Sequence, residues 1–351
     1  MPDITEIDKN FKTSNNLEAD DVYYYNVKEN SWCIFGILFD DFFRRMPKDI
    51  ADKVNEGVQA LHTNTSGGRI RFKTNSRYVK IRAVMPNTVV FSHMPCTGVS
   101  GFDMYVDGDY VKTFVPPVDL SEGYEDVYDF NEVCEREIMI HFPLYNDVKD
   151  LYIGIQNGSS FKEHNPYSNP HRIIYYGSSI TQGGCVSRPG LAYPSQVSVK
   201  LDCDFVNLGF SGSARGELVM AKYIAGLNPD IFVMDYDHNA PTVEHLEKTH
   251  EKFFKEFRML KNTVPVVFMS APDARFHDEN WIKRRDIVYN TYTNAVKSGD
   301  KNVYFIDGNR LLGEDDWRAC SVDCTHPNDL GHYRMAKNII PVIEKICRNV
   351  K

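Results

Sequence analysis

Short runs that alternate apolar and polar residues mark the first half of the chain, as strands with one buried face do. Residues 68–73 read Gly-Arg-Ile-Arg-Phe-Lys, and similar short runs recur at residues 78–82, 89–91, 102–106, 137–142 and 151–155. One helix is expected from Pro47 to about Leu61, because proline is favoured in a first helical turn. Many short strands without repeating helices predict a β-sandwich.

Continuous apolar runs replace these alternating runs in the second half. They suit parallel strands that are covered on both faces, and they occupy residues 173–176, 205–208, 231–234, 264–269 and 303–306. Amphipathic segments such as 242–260 and 329–347 predict helices. The order of strand then helix predicts an α/β fold with an open parallel sheet and helices on both faces, the three-layer α/β/α arrangement of flavodoxin-like domains.

The stretch 157–169 is dense in asparagine, serine and proline, as domain linkers are. A chain of 351 residues is long enough for two domains with separate cores. We therefore expect an N-terminal domain over residues 1–165 and a C-terminal domain over residues 170–351.

The composition is that of an ordinary globular protein, with 42% hydrophobic and 25% charged residues. Its formal net charge of -8 argues against nucleic acid as a partner, because phosphate binding needs clustered positive charge. No apolar run approaches membrane-spanning length, and residues 1–21 lack the pattern of a secretory signal. We expect neither nucleic acid nor membrane as a partner, and a cytoplasmic location.

Eight cysteines are spread without the regular spacing of a disulfide scaffold, so reduced thiols are expected. Cys320, Cys324, His326 and His332 form a cluster of metal-ligand residue types. Their spacing matches none of the usual zinc patterns, in which cysteines come in close pairs. No metal and no organic cofactor is expected.

Ser179 lies in the turn Gly177-Ser178-Ser179, directly after the first candidate parallel strand. Open parallel sheets bind ligands at the carboxyl ends of their strands, so its hydroxyl is expected where a substrate can reach it. A hydroxyl needs an imidazole as base and a carboxylate to orient that imidazole. Asp323 and His326 supply both groups, and the sequence therefore indicates a serine hydrolase.

Two further segments, 207–213 and 235–240, end at the same predicted rim. The first offers a glycine amide and the second an asparagine side chain. Both are donors that can hold the oxyanion of an acyl-transfer intermediate, together with backbone amides of the serine turn.

These segments resemble the sequence blocks of the SGNH (GDSL-like) hydrolase superfamily, over residues 171–351. Ser179 matches the nucleophile of the first block, although Ser178 stands where that block normally has aspartate. Asp323 and His326 match the last block, in which the two residues lie three apart. The resemblance implies that His326 is the base.

The same resemblance implies an oxyanion hole. Gly212 matches the glycine of the second block and Asn239 the asparagine of the third, and both would join the Ser179 amide. Asp237 stands where the third block usually has glycine, which affects the expected loop shape more than the role of the asparagine.

The Gly-Phe-Asp-Met-Tyr sequence at residues 101–105 resembles the Gly-x-Asp-Leu-Tyr motif of an N-terminal β-sandwich, jelly-roll-like in form, found ahead of some SGNH esterases. Such two-domain bacterial proteins are often associated with removing acetyl groups from sugars. The resemblance implies an acetylated oligosaccharide or another small ester as the substrate.

Each candidate also has a purely structural interpretation. Ser179 and Asn239 could cap helices, Gly212 could relieve a tight turn, and the last two residues of the triad could lie in a surface turn. Their joint occurrence in this order, after predicted strands, is much harder to explain structurally.

Five neighbouring residues are weaker predictions for substrate contact, namely Arg188, Tyr193, Arg215, Glu217 and His238. Arg188 and Tyr193 could equally fix their loop. Arg215 and Glu217 could pair with each other. His238 is favoured as a neighbour of the oxyanion asparagine over a competing base.

The chain is therefore predicted to be a serine esterase that hydrolyses short-chain, acetyl esters of oligosaccharides through a Ser-His-Asp triad and an acetyl-enzyme. Two alternatives stay open. One is an acyltransferase that passes the acyl group to an alcohol, and the other is a non-catalytic carbohydrate-binding protein, which the intact triad disfavours. A homo-oligomer also stays open.

Overall fold

A computed structural model describes residues 4–8, 21–272 and 278–349. In it, antiparallel strands fill the first part of the chain. These strands are β1 (Val22–Asn26), β2 (Ile34–Phe35), β3 (Leu38–Phe39), β4 (Phe43–Arg44), β5 (Arg69–Thr74), β6 (Tyr78–Val84), β7 (Phe102–Val106), β8 (Asp109–Phe114), β9 (Gly123–Asp129), β10 (Arg136–His141), β11 (Asp150–Gln156) and β12 (Lys162–Glu163). One sheet has the order β1-β11-β6-β9, and the other has β12-β5-β10-β7-β8 with β2 beside β5. Alternate residues such as Ile70, Phe72, Ile138 and Ile140 are fully buried in the shared core. The predicted β-sandwich is confirmed.

The helix expected from Pro47 to Leu61 is wrong as a single element. Two short helices occupy the stretch, α2 (Lys48–Ala51) and α3 (Glu56–Leu61), after the N-terminal α1 (Ile4–Ile7). Asn55 separates them because its backbone is extended and its side chain accepts a hydrogen bond from the Val58 amide, which starts a new helix.

The apolar run at residues 89–91 is not a strand, contrary to the prediction. Val89 and Val90 are 44% and 69% exposed. The Val89 amide donates to the Asn146 side chain at 2.7 Å. In a strand, this amide would instead donate to the backbone of a neighbouring strand. The segment runs on to the short helix α4 (Cys96–Val99).

A five-stranded parallel sheet forms the second part, as predicted. Its strands are β13 (Asn169–Gly177), β14 (Cys203–Gly209), β15 (Ile231–Asp235), β16 (Val266–Met269) and β17 (Val303–Ile306), in the order β14-β13-β15-β16-β17. The helices are α5 (Ser179–Gln182), α6 (Tyr193–Leu201), α7 (Leu218–Gly226), α8 (Val243–Leu260), α9 (Glu279–Lys297) and α10 (Asp329–Asn349). No helix among the described residues is long and apolar enough to cross a membrane.

Helices cover both faces of this sheet. Ile174 and Tyr176 of β13 pack in one core with residues of α7 and α8, while Ile173 and Tyr175 pack in the other with residues of α6 and α10. Because both faces are buried, the strands carry the continuous apolar runs from which they were predicted.

Two fully buried arginines join the sandwich to the edge strand β14. Arg69 donates to the carbonyl of Phe205 at 3.1 Å, and Arg45 donates to the carbonyl of Gly209. An open sheet edge presents unpaired backbone groups, and the sandwich satisfies two of them here. The antiparallel strands end with β12 and the parallel strands begin with β13, while the predicted domain limits 1–165 and 170–351 stay a prediction.

Candidate active site

The candidate nucleophile stands at the carboxyl end of the central strand β13. Gly177 ends the strand, and a side chain there would meet the carbonyl oxygen of Asp235 at 2.3 Å, so only glycine fits. Ser178 then caps α5, because its Oγ accepts a hydrogen bond from the Ile180 amide at 3.1 Å. This tight turn places Ser179 in the first turn of the helix with 7% of its surface exposed.

His326 and Asp323 meet this serine from the turn before α10. Ser179 Oγ lies 2.9 Å from His326 Nε2, and His326 Nδ1 lies 2.7 Å from Asp323 Oδ2. Asp323 Oδ1 also accepts the amides of Thr325 and His326, at 2.9 and 2.7 Å. The Ser321 hydroxyl donates to the His326 carbonyl at 2.9 Å, which closes the turn.

The electrostatics of this turn fix the tautomer of the histidine. Partial burial alone would raise the pKa of Asp323, but hydrogen bonds from the His326 amide and ring and from the Thr325 amide lower it to about 2. An ionised carboxylate can only accept, so His326 Nδ1 carries the proton that it donates. His326 Nε2 is then the acceptor for the Ser179 hydroxyl, as a general base requires.

The two other candidate oxyanion donors follow the neighbouring strands β14 and β15. Gly212 has a left-handed φ of 66°, and the space around its Cα is open, so backbone conformation is the reason for glycine. The Asn239 Nδ2 donates to the carbonyl of Phe210 at 2.9 Å. An amide nitrogen carries two hydrogens, so Asn239 can donate one more bond toward the site.

The sandwich also reaches the backbone of the nucleophile, which the sequence analysis did not foresee. The Tyr145 hydroxyl donates to the Ser179 carbonyl at 3.3 Å and lies 3.4 Å from Ser211 Oγ. Gln182 of α5 donates to the Leu144 carbonyl at 3.1 Å and accepts from the Ser211 amide at 3.0 Å. No motif surrounds Tyr145, so only its position in the fold reveals it.

A groove of about 770 Å³ opens beside His326, between the two parts of the chain. The sandwich contributes exposed His93, whose ring centre lies 6.1 Å from that of His326. The remaining lining is uncharged apart from one carboxylate and includes Ser92, Met94, Cys185, Ser187, Asn328 and Asp329.

Two family models match the chain. The model of the GDSL-like lipase/acylhydrolase family matches residues 170–344, and the model of the N-terminus of SGNH-hydrolase-type esterases matches residues 22–161. The chain belongs to the SGNH (GDSL-like) hydrolase superfamily. No curated protein matches it.

Solved structures share the two-part SGNH architecture. A protein from Bacteroides ovatus described as a GDSL-like lipase is 28% identical, with a TM-score of 0.84 over 93% of this chain and 98% of its own. A salicylyl-acyltransferase from a tetracycline biosynthetic pathway is 18% identical, with a TM-score of 0.75 over 95% and 97%. A family two carbohydrate esterase from Clostridium thermocellum, in complex with cellohexaose, is 15% identical, with a TM-score of 0.60 over 81% and 93%.

The Gly-x-Asp-Met-Tyr motif of the SGNH sandwich holds one of the residues predicted to contact substrate. Arg188 donates to the buried carboxylate of Asp103 at 2.6 Å and to the Tyr105 hydroxyl at 2.9 Å. Its guanidinium also lies 3.7 Å from the centre of the Tyr110 ring. These contacts favour the interpretation that Arg188 fixes its loop.

Tyr193 is fully buried, and its hydroxyl donates to Asp235 Oδ2 at 2.9 Å. Its contacts are those of a packed residue behind the SGNH site and weigh against the predicted substrate role. In the sequence, Tyr193 follows a loop that contains Arg188, so the hydrophobic pattern did not predict that its side chain is buried.

The remaining predicted contacts lie close to the oxyanion segment. Arg215 donates to the Gly212 carbonyl at 3.3 Å, and its amide donates to Glu217 at 3.3 Å. Glu217 also accepts from Asn55 of the sandwich at 2.6 Å. His238 is hydrogen-bonded to its neighbours in the turn before Asn239.

Two groups of possible metal ligands occur among the described residues, with donor atoms within 4.8 Å of one another. The first is His93, Cys185 and His326, and the second is Asp235, Asp237 and His238. Hydrogen bonds already use both ring nitrogens of His326 and of His238, and burial raises the pKa of the Cys185 thiol to about 12. We therefore assign no metal to either group, and Cys320, Cys324 and His332 do not gather around His326 in the described structure.

Proposed function

We propose that this SGNH protein is a serine esterase that removes short acyl groups, acetyl foremost, from the hydroxyl groups of oligosaccharides. The observation that carries the proposal is the hydrogen-bonded series Ser179, His326 and Asp323 at the carboxyl end of the central strand. The likeness to a carbohydrate esterase solved with cellohexaose supports the choice of sugar esters.

The reaction follows from this geometry. Ser179 Oγ attacks the ester carbonyl while His326 Nε2 takes its proton, and Asp323 stabilises the imidazolium. The amides of Ser179 and Gly212 and the side chain of Asn239 are proposed to hold the oxyanion. His326 then protonates the departing alcohol, and a water molecule releases the acyl group by the reverse path.

The groove beside His326 is the proposed seat of the departing alcohol. The leaving oxygen must lie next to the group that protonates it, and the ring of His93, which lines the groove, lies 6.1 Å from the ring of His326. The lining of the groove combines the polar groups of Ser92, His93, Ser187 and Asn328, which can bond to a polyhydroxy compound, with the apolar side chains of Met94, Val322 and Leu330.

An acyltransferase is the second candidate, because a salicylyl-acyltransferase shares the architecture over 97% of its length. In that case the acceptor alcohol would enter through the same groove and replace water in the second step. A sugar acceptor that increases turnover and yields a new ester would favour this candidate over hydrolysis.

A cytoplasmic location is part of the proposal. All eight cysteines are free, four of them buried, as expected in a reducing compartment. Self-association of the chain stays a prediction.

The first experiment measures acetate release from a short aryl ester and from acetylated xylan- and mannan-derived oligosaccharides. Ser179→Ala is expected to lose turnover by about 10⁶-fold, since the attacking group is gone. Asp323→Asn is expected to lose less, about 10³- to 10⁴-fold, because the amide favours the wrong tautomer of His326. Ser198→Ala is the matched control, since Ser198 is a buried serine of α6 that contacts only the backbone of Cys203 in the described hydrogen bonds.

The full proposal is supported if the native protein and Ser198→Ala release acetate from the sugar esters and Ser179→Ala does not. Activity on the aryl ester alone would retain the mechanism and reject the sugar substrate. Equal turnover by Ser179→Ala and the native protein would reject the mechanism.

A further inference from the structure

A second serine, histidine and aspartate are hydrogen-bonded in series directly behind the nucleophile. The hydroxyl of Ser178 contacts His238 Nε2, and His238 Nδ1 lies 2.9 Å from Asp237 Oδ1. Ser178 is fully buried, so its hydroxyl cannot reach a substrate. This series is therefore not a second nucleophilic site, and any effect on the reaction must pass through the residues that it holds.

The aspartate end of the series is anchored in the core of the α/β domain. Asp237 Oδ2 accepts the Ala271 amide at 3.0 Å, and the Asp237 carbonyl accepts from Arg284 of α9 at 2.7 Å. The ring of His238 stacks on Trp281 of the same helix, with ring centres 6.0 Å apart and planes 21° from parallel. The imidazole is thus fixed in position and in orientation.

The serine end of the series holds the nucleophile turn. Ser178 Oγ accepts the Ile180 amide at 3.1 Å, and this cap sets the first turn of α5, where the Ser179 amide lies. At the other side, His238 is bonded directly to Asn239, whose side chain is tied to the Phe210 carbonyl at 2.9 Å. One hydrogen-bonded series therefore joins the two backbone segments that carry two candidate oxyanion donors.

The series persists in either protonation state of its histidine. Burial disfavours the imidazolium, but the hydrogen bond and charge of Asp237 and the charge of Asp235 raise the pKa of His238 overall. Neutral His238 accepts from the Ser178 hydroxyl, and protonated His238 donates to its oxygen. The mechanical link between the two segments is the same in both cases.

We propose that Ser178, His238 and Asp237 are positioning residues that keep the Ser179 amide and the Asn239 side chain in register for the oxyanion. The proposal rests on the proposed function, since it needs an oxyanion to be formed at Ser179. Oxyanion donors act only when they are held where the charge develops, so a loosened register weakens the transition state more than the bound substrate.

The test is the Ser178→Ala variant, assayed on a short aryl acetate and by the rate at which a fluorophosphonate labels Ser179. Loss of one oxyanion donor costs about 10²- to 10³-fold in kcat, and a misplacement of about 1 Å costs about 10²-fold. We expect kcat and the labelling rate to fall by about 10- to 100-fold, with KM changed by less than about threefold.

Two variants separate positioning from general loss of stability. Ser198→Ala also removes a buried serine hydroxyl that bonds to backbone, the Cys203 carbonyl at 2.5 Å, but far from the site, so it is expected to change the melting temperature and leave kcat as it is. Ser178→Asp restores an acceptor for the Ile180 amide and for the protonated ring of His238, whose pKa its neighbours raise, and we expect it to recover most of the lost kcat.

A kcat of Ser178→Ala within twofold of that of Ser198→Ala would overturn the proposal. So would equal loss in Ser178→Ala and Ser178→Asp, because the acceptor would then be irrelevant. If Ser178→Ala does not fold, His238→Gln breaks the same series, with His250→Gln as the matched buried control. Native protein that is neither active on the ester nor labelled at Ser179 would instead reject the proposed function, and this inference with it.

Discussion

Removal of the Asp103 carboxylate, in the Gly-x-Asp-Met-Tyr motif, should weaken the contact between the sandwich and the loop 187–191 of the α/β part. This fully buried carboxylate accepts from Arg188 at 2.6 Å, from the Gly190 amide at 2.8 Å and from His141 at 3.0 Å. Burial alone would raise the pKa of Asp103, but His141 and Arg188 outweigh it and lower the value. The group is therefore an anion that joins two segments distant in sequence.

The expected cost of Asp103→Ala can be worked from these contacts. Breaking a buried ion pair by removing one partner costs about 3–5 kcal/mol, because the other charge is left without compensation. Arg188 keeps 16% exposure of its side chain and can regain some water, which places the loss near the lower limit of about 3 kcal/mol. In a cooperative unit of about 150–250 residues, a loss of about 3 kcal/mol lowers the melting temperature by roughly 6–12 °C.

The assay is urea unfolding, followed by circular dichroism, of the native protein, Asp103→Ala, Arg188→Met and the double variant. Residues in contact couple, so the double variant should lose clearly less than the sum of the single losses. Activity should also fall, because the 187–191 loop adjoins the groove beside His326. Asp126→Ala is the matched control, since Asp126 and Lys112 form a buried pair at 2.9 Å inside the sandwich.

The reasoning is refuted if Asp103→Ala lowers the free energy of unfolding by less than about 1 kcal/mol, or if the double variant loses the full sum of the two single losses. Equal loss of activity in Asp126→Ala and Asp103→Ala would show that the effect on turnover is not specific to the docked loop.

Two further predictions concern a buried carboxyl and the groove. Burial raises the pKa of Asp235 from its usual 3.8 to about 7, so the folded chain keeps a proton that the unfolded chain releases between these values. This group should therefore lower the free energy of unfolding as pH rises from about 4 to 7. Urea unfolding at pH 5 and pH 8 should show a smaller decrease between the two pH values for Asp235→Asn than for the native protein. An equal decrease in the variant would contradict the assignment. His93→Ala should raise KM for oligosaccharide acetates more than for an aryl acetate, and equal changes in the two KM values would reject the groove beside His326 as the seat of the alcohol.

The strands were predictable where burial leaves a simple pattern. β15 and β17 belong to a sheet that is covered on both faces, so their apolar runs mark them almost to the residue. The break between α2 and α3 was not predictable from hydrophobic pattern, because it depends on the side-chain cap of Asn55. Strands β1, β8 and β9 were missed because their residues are half-exposed and lack clear alternation.

The candidate site was predictable to the extent that its parts are local. Ser179, Asn239 and His326 each belong to a short segment with recognisable chemistry, and the structure brings Ser179 and His326 into hydrogen-bond contact. Tyr145 and His93 carry no such local signal, because their place beside the site results from packing between distant segments. For Tyr193 the sequence left substrate contact and fixing of its loop equally open, and its complete burial favours the second interpretation.

The contacts between the sandwich and the α/β part argue against the sandwich as a separable binding module. Arg45 and Arg69 donate to carbonyls of the edge strand β14, so buried side chains of the sandwich are bonded to the backbone of the parallel sheet. Tyr145 contacts the nucleophile backbone, and His93 forms one wall of the groove. A carbohydrate-binding module would need only a linker, whereas this sandwich closes the catalytic sheet and completes the groove. The two parts are therefore better understood as one structural unit, with the candidate site bordered by segments of both.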